Sequence, residues 1–166
     1  SDWEDKFFIQ TSDINATETK TWANGYGFRP VGPDSGDFKG NYDGQGFQIR
    51  NLFIYRTNDK RSAGLFSRVL HSDLKNIRIV DANITGNHYV GGIAGNSNYV
   101  IIENSSFEGA IKGAQVGGLI GRNENSQIIG SFSHGSVYAT EVWAGGIAGY
   151  SGESEIINCY SHANVD

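Results

Sequence analysis

The chain predicts an all-β fold, a right-handed parallel β-helix (β-solenoid) of about five coils closed by an N-terminal cap. Two recurring marks and one composition lead there. The stretch Val90-Gly91-Gly92-Ile93-Ala94-Gly95-Asn96 returns as Val116-Gly117-Gly118-Leu119-Ile120-Gly121-Arg122 and as Ala144-Gly145-Gly146-Ile147-Ala148-Gly149-Tyr150, after a degenerate copy Ser62-Ala63-Gly64-Leu65-Phe66-Ser67-Arg68. The aligned glycines stand at 64, 92, 118 and 146, in steps of 28, 26 and 28. A second mark, the asparagine of Ile49-Arg50-Asn51, Leu74-Lys75-Asn76, Ile102-Glu103-Asn104 and Ile156-Ile157-Asn158, with Gly130 in the remaining place, keeps nearly the same step. Two marks in register once per coil are what stacked parallel strands produce, whereas an antiparallel sandwich with glycine-rich turns would not keep them matched. The third observation is 23 glycines against 2 prolines in 166 residues, which suits many tight turns.

Taken in order, residues 1–27 do not repeat. Trp3, Phe7, Phe8, Ile9, Ile14 and Trp22 surround one expected strand, Lys6 to Thr11. This segment is too short for its own core and is expected to cap the first rung, whose strand edges and apolar side chains need cover. The solenoid proper is expected over 28–166, as one domain. Residues 33–46 are dense in Asp, Asn and Gly, which is turn chemistry. A calcium loop through Asp34, Asp37, Asn41 and Asp43 is the alternative, although the spacing is not that of an EF-hand. Beyond residue 46 the aliphatics Leu65, Ile93, Leu119 and Ile147 should stack into the core. Asn51, Asn76, Asn104 and Asn158 should form an inward amide ladder, with Asn104 buried and bonded. Cys159, the lone cysteine, falls in the column assigned to Leu52, Ile77, Ser105 and Ser131 and should be buried.

These motifs carry a resemblance. VGGIAGN, VGGLIGR and AGGIAGY, each followed by a segment such as IINCYSHANV, and the lead-in FKGNYDGQGFQIRNLFI then AGLF, resemble the GLUG motif of bacterial surface proteins over about residues 28–166. GLUG repeats occur in large extracellular proteins, including immunoglobulin A-cleaving metallopeptidases and filamentous adhesin-like proteins, outside their catalytic parts. The resemblance therefore implies an extracellular or cell-surface, non-catalytic repeat module, and carries over no functional residue. The pattern begins mid-motif and stops as a repeat finishes, as a segment of a longer protein would.

A formal charge of −5 argues against a nucleic-acid partner, and no apolar run is long enough to span a membrane. His-Glu-x-x-His and Gly-x-Ser-x-Gly are both missing. His134 and His162 share a repeat position behind Glu108, an arrangement expected to be an exposed column rather than a metal site. Asp73, Asp81, Glu153 and Glu155 are read as surface turns, not as the converging carboxylates of a polysaccharide hydrolase or lyase. No catalytic residue, cofactor or metal is assigned; the β-helix enzyme remains the alternative, with its site partly outside this segment. The partner is expected to be a protein or a surface glycan. Strand alternation turns Arg78 outward, and with it the positions read as equivalent, Phe53, Ser106, Phe132 and Tyr160. Arg50, Lys75 and Glu103 begin a second outward column that ends in Ile129 and Ile157. Ile129, Phe132, Ile157 and Tyr160 are thus expected to form an apolar docking patch.

Overall fold

A computed structural model of the chain describes residues 3–32, 36–58 and 60–166. The first strands are β1 (Phe7–Ile9), β2 (Ile14–Asn15), β3 (Asn41–Asp43), β4 (Gln48–Arg50), β5 (Phe53–Arg56), β6 (Phe66–Lys75), β7 (Arg78–Gly86) and β8 (Tyr89–Gly91). They are followed by β9 (Ala94–Glu103), β10 (Ser106–Gly117), β11 (Ile120–Glu124), β12 (Gln127–Ile129), β13 (Phe132–Gly145), β14 (Ala148–Gly152), β15 (Glu155–Ile157) and β16 (Tyr160–Val165). A 3₁₀ segment, Thr17–Gly25, is the one helical stretch among the described residues. One sheet stacks β1, β3, β6, β9, β11 and β14, with β12 and β15 alongside; the other stacks β2, β4, β7, β10, β13 and β16, with β5 and β8. Strand pairs such as β10–β13, β13–β16 and β6–β9 are parallel and join residues one repeat apart. The fold is a parallel β-solenoid.

It has about four turns, one fewer than the motif count predicts. The missing turn traces to Asn51. Arg50 pairs with Val80 and Gln48 with Arg78, so Asn51 stands beside Asp81 instead of Asn76. Asp43 pairs with Lys75, so Gly44 and not Asn51 stands beside Asn76, and Asp43 heads the Lys75 column. Phe53 likewise pairs with Asn83, not with Arg78, and Arg50 lies outside the Lys75–Glu103–Ile129–Ile157 column. Residues 41–56 therefore supply short strands to both sheets without forming a full motif coil.

The inward columns follow the alternation. Leu74, Ile102 and Ile128 stack fully buried, as do Ile93 and Leu119 beside them. Ile77 and Ile79 are buried and Arg78 between them is exposed. Transfer of such a side chain from water stabilises the fold by roughly 1.5–3 kcal/mol, and each column repeats that gain once per coil.

The corners differ from the expected amide ladder. Asn51, Asn76, Asn104, Gly130 and Asn158 all have positive φ, between 46° and 60°. Asn and Gly tolerate that left-handed conformation best, which favours them at this corner. The reversal throws the side chain outward: Asn104 and Asn158 are exposed, and Asn51 and Asn76 are half-buried. Asn104 still donates to Asn76 Oδ1 at 2.7 Å, and Asn76 donates to Asp43 Oδ1 at 2.9 Å. Asn51 instead donates to Thr17 Oγ1 at 3.0 Å.

The buried ladder at this corner is made by serine, one residue later. Ser105 Oγ accepts from Ile77 N at 3.1 Å and donates to Glu103 O at 2.8 Å. Ser131 Oγ accepts from Ser105 N at 3.0 Å and donates to Ile129 O at 2.9 Å. Cys159 is next in that column; its Sγ donates to Ile157 O at 3.2 Å, and it is half-buried rather than buried because no coil lies on its far side among the described residues. A second corner of the same kind, with His71, Tyr99, Asn125 and Glu153 at positive φ, leads into Ser126 and Ser154. Each hydroxyl satisfies an N–H that the corner would otherwise bury unpaired.

Residues 3–27 do more than cover an end. β1 pairs with β3 and β2 with β4, both in parallel, so this segment extends both sheets before the 3₁₀ segment crosses the opening. Trp3 and Phe8 pack on Phe38 at ring distances of 5.9 and 5.8 Å, and Phe38 packs on Phe66 at 4.8 Å.

Candidate ligand-binding seam

The glycine motif makes a loop into the core whose two ends meet at the surface. Val90, Gly91, Gly92, Ile93 and Ala94 are buried, and the chain closes on itself at Gly95. A Cβ on Gly95 would lie 2.6 Å from Tyr89 O and 2.6 Å from Ala63 N, so only glycine fits that contact. Gly121 sits the same way, 2.5 Å from Val90 N at its virtual Cβ. Backbone contact at this point brings the residue before each loop next to the residue after it. One wall of the resulting seam is the column Tyr89, Gln115, Trp143, and the other is Arg68, Asn96, Arg122, Tyr150.

Arg122 is the centre of the seam. Its guanidinium lies 5.3 Å from the centre of the Tyr89 ring and 5.5 Å from that of Tyr150, and Trp143 packs on Tyr150 at 5.2 Å. Nη1 donates to Tyr89 Oη at 2.7 Å and Nη2 to Glu124 Oε1 at 2.6 Å. The Glu124 hydrogen bond, and after it that of Tyr89, hold the guanidinium still more firmly in its charged form. Arg122 Nε and Gln115 Oε1 are buried and take no hydrogen bond among the described residues. Towards the N-terminal end the seam opens into a pocket of about 290 Å³ lined by Asp37, Lys60, Arg61, Arg68, His88, Tyr89 and Asn96, among others. Arg68 is ion-paired there with Asp37 at 3.1 Å. An aromatic ring, planar amides and guanidinium groups around a polar hollow can hold a hydroxyl-rich ligand by stacking and directed hydrogen bonds.

The residues singled out from sequence lie elsewhere. Ile129 and Ile157 form one outward column and Phe132 and Tyr160 another, on either side of the Gly130–Asn158 corner. Ile157 and Tyr160 are exposed and Ile129 and Phe132 half-buried. The Phe132 and Tyr160 rings stack on each other at 5.0 Å and 3°, so each spends one face on the other. Glu108, His134 and His162 share a column as expected, with the imidazole centres 6.4 Å apart. Among the described residues no three His, Cys, Asp or Glu side chains gather as metal ligands. The calcium alternative stands partly outside the described residues, through Asp34; within them, Asp37 pairs with Arg68, and Asp43 accepts from Asn76 and Gln45 N. Glu153 and Glu155 line one open hollow with Tyr99, where Glu155 accepts from Gln127 at 2.6 Å, whereas Asp73 and Asp81 belong to opposite sheets. The seam was missed because its residues, Asn96, Arg122 and Tyr150, vary from copy to copy. Their fixed place directly after the last motif glycine was the available signal.

Known proteins resemble the chain in three ways. The family model of the GLUG motif matches residues 86–112 and 113–138. Halomucin of Haloquadratum walsbyi is 36% identical over 126 residues, 72% of this chain. A protein of Evansella cellulosilytica with the provisional name Gly-rich membrane protein is 35% identical over 88 residues, 51% of this chain. The chain spans 1% of the length of the first and 10% of the second. In fold it is similar to the crystal structure of a Bacteroides ovatus protein provisionally assigned as an immunoglobulin A1 protease, with a TM-score of 0.58 and 18% identity over 98% of this chain and 71% of the other. The motif, its spacing and the stacked corners agree: residues 86–138 of this chain are GLUG repeats, and the coils on either side stack on them in the same register.

Proposed function

We propose that this segment is a non-catalytic structural and adhesive module of a large bacterial surface or secreted protein, and that it holds a surface glycan along the motif seam. The observation that carries the proposal is the meeting of Tyr89, Arg122, Trp143 and Tyr150, brought from different coils to one outward line beside a polar pocket. A sugar offers a C–H face for an aromatic ring and hydroxyls for the guanidinium and amide groups beside it. Surface placement draws support from the GLUG motif and from the names of the two relatives, halomucin and Gly-rich membrane protein. The partly exposed patch of Ile129, Phe132, Ile157 and Tyr160 is proposed as a contact for a protein neighbour rather than a sugar, because its two rings already stack on each other.

Affinity electrophoresis through gels containing a neutral glucan or a polyuronate tests the seam. Retardation by one of them, lost in Arg122→Ala and Tyr89→Ala but kept in Tyr160→Ser, is the expected result. Equal mobility with and without every polysaccharide tried would remove the seam as a glycan site. Release of new reducing ends or unsaturated uronate during the run would replace the adhesive reading with the enzyme.

A further inference from the structure

The N-terminal end of the solenoid holds a second hollow, unrelated to the seam. It measures about 340 Å³ and lies where the segment before residue 29 crosses the opening of the first coils. Its floor is the buried core, Phe38, Ile49, Leu52 and Phe66, and Trp3, Phe8 and Phe28 stand around it. Ile14 and Trp22, 43% and 47% exposed, border it at the surface, and Glu18 is the charged residue in its lining. Protein cores are packed to the density of organic crystals, so an apolar hollow of this size leaves unfilled contact surface that an apolar guest can cover.

We propose that this hollow is a binding site for a small amphiphile with an apolar body and a cationic head. The body fits because the lining offers aromatic and aliphatic surface and almost no hydrogen-bonding group. Tyr42, the one phenol of the lining and half-buried, already donates to Gln10 Oε1 at 3.1 Å, and its partial burial raises its pKa above the ordinary phenol value. The head follows from Glu18, which is exposed beside the hollow and attracts a cation there while repelling a carboxylate. Attraction of one head to the Glu18 carboxylate and repulsion of the other should separate them by roughly tenfold in affinity.

The test uses the full 166-residue chain carrying Trp143→Phe, which leaves Trp3 and Trp22, both in the lining, as the fluorescent tryptophans. It is titrated with 1-octylamine, 1-octanol and octanoate. The expected outcome is a saturable change in tryptophan emission, in the affinity order amine, alcohol, carboxylate. Glu18→Gln, an exposed change that leaves the packing intact, should bring the amine and the carboxylate together without removing binding. Ala16→Phe, which fills the hollow, should abolish binding while the far-ultraviolet spectrum stays that of the parent. No saturation by any of the three, or an amine preference that survives Glu18→Gln, would overturn the proposal.

Discussion

Ile128 and Ile156 stand in the same inward column one coil apart, yet Ile128 is fully buried and Ile156 is 44% exposed. At the opposite end Phe38 is 1% exposed, because Trp3 and Phe8 close over it. The inward direction of a side chain is set by its own coil, through strand alternation and the left-handed corners. Its burial is set by the next coil or by whatever takes that coil's place. The two ends of this solenoid therefore carry the same pattern with very different energetic weight.

The largest expected effect breaks that comparison directly. Ile102→Ala, in the fully covered part of the column, should cost about 2–5 kcal/mol by equilibrium denaturation, while Ile156→Ala should cost less than about 1 kcal/mol. Similar losses at both sites would mean that the last coil is covered in solution. The serine ladder gives a smaller contrast. Ser131→Ala leaves the buried Ser105 N–H without its acceptor and should lower stability by about 1–3 kcal/mol, whereas Ser154→Ala, in the outermost half-buried rung, should cost visibly less.

Next comes the asparagine corner. Asn104→Ala puts at φ 46° a residue without the short polar side chain that eases the left-handed conformation, and should cost about 1–2 kcal/mol. Asn104→Gly should be nearly neutral, since Gly130 occupies the same corner in the next coil. A Gly variant as damaged as the Ala variant would show that the exposed amide bond to Asn76, not the backbone conformation, supplies the stability.

The smallest effect is acid sensitivity at the N-terminal rungs, where the first asparagine of the corner column, Asn76, donates to a carboxylate, Asp43. The hydrogen bond from Asn76, then that from Gln45 N and the charge of Lys75, lower the pKa of Asp43 against a modest opposing effect of burial. A depressed folded-state value means that the contribution is complete above the ordinary carboxylate pKa and is lost as pH falls through the folded value. Asp43→Asn should accordingly lower stability slightly at neutral pH, where the ionised carboxylate contributes, flatten the acid limb, and meet the parent curve below the folded-state pKa. A curve of unaltered shape would place the acid-sensitive group elsewhere.

Periodicity by itself determined the parallel solenoid, the inward aliphatic columns and the places of the corners, because a coil of near-constant length must stack each mark on the one before. It also put Arg78 outside and Ile77 and Ile79 inside, since alternation needs no partner to be read. It misplaced Asn51, because an Ile-Arg-Asn-Leu tetrad looks alike at two different corners and only strand register tells them apart. The asparagines were taken as an inward ladder because amides suit one; positive φ turns them outward, and the serines that follow do the bonding. The seam, too, was decided in three dimensions. Tyr89 and Arg122 are 33 residues apart and share no repeat position, and they meet only because the glycine loop between strand and strand brings its two ends into backbone contact.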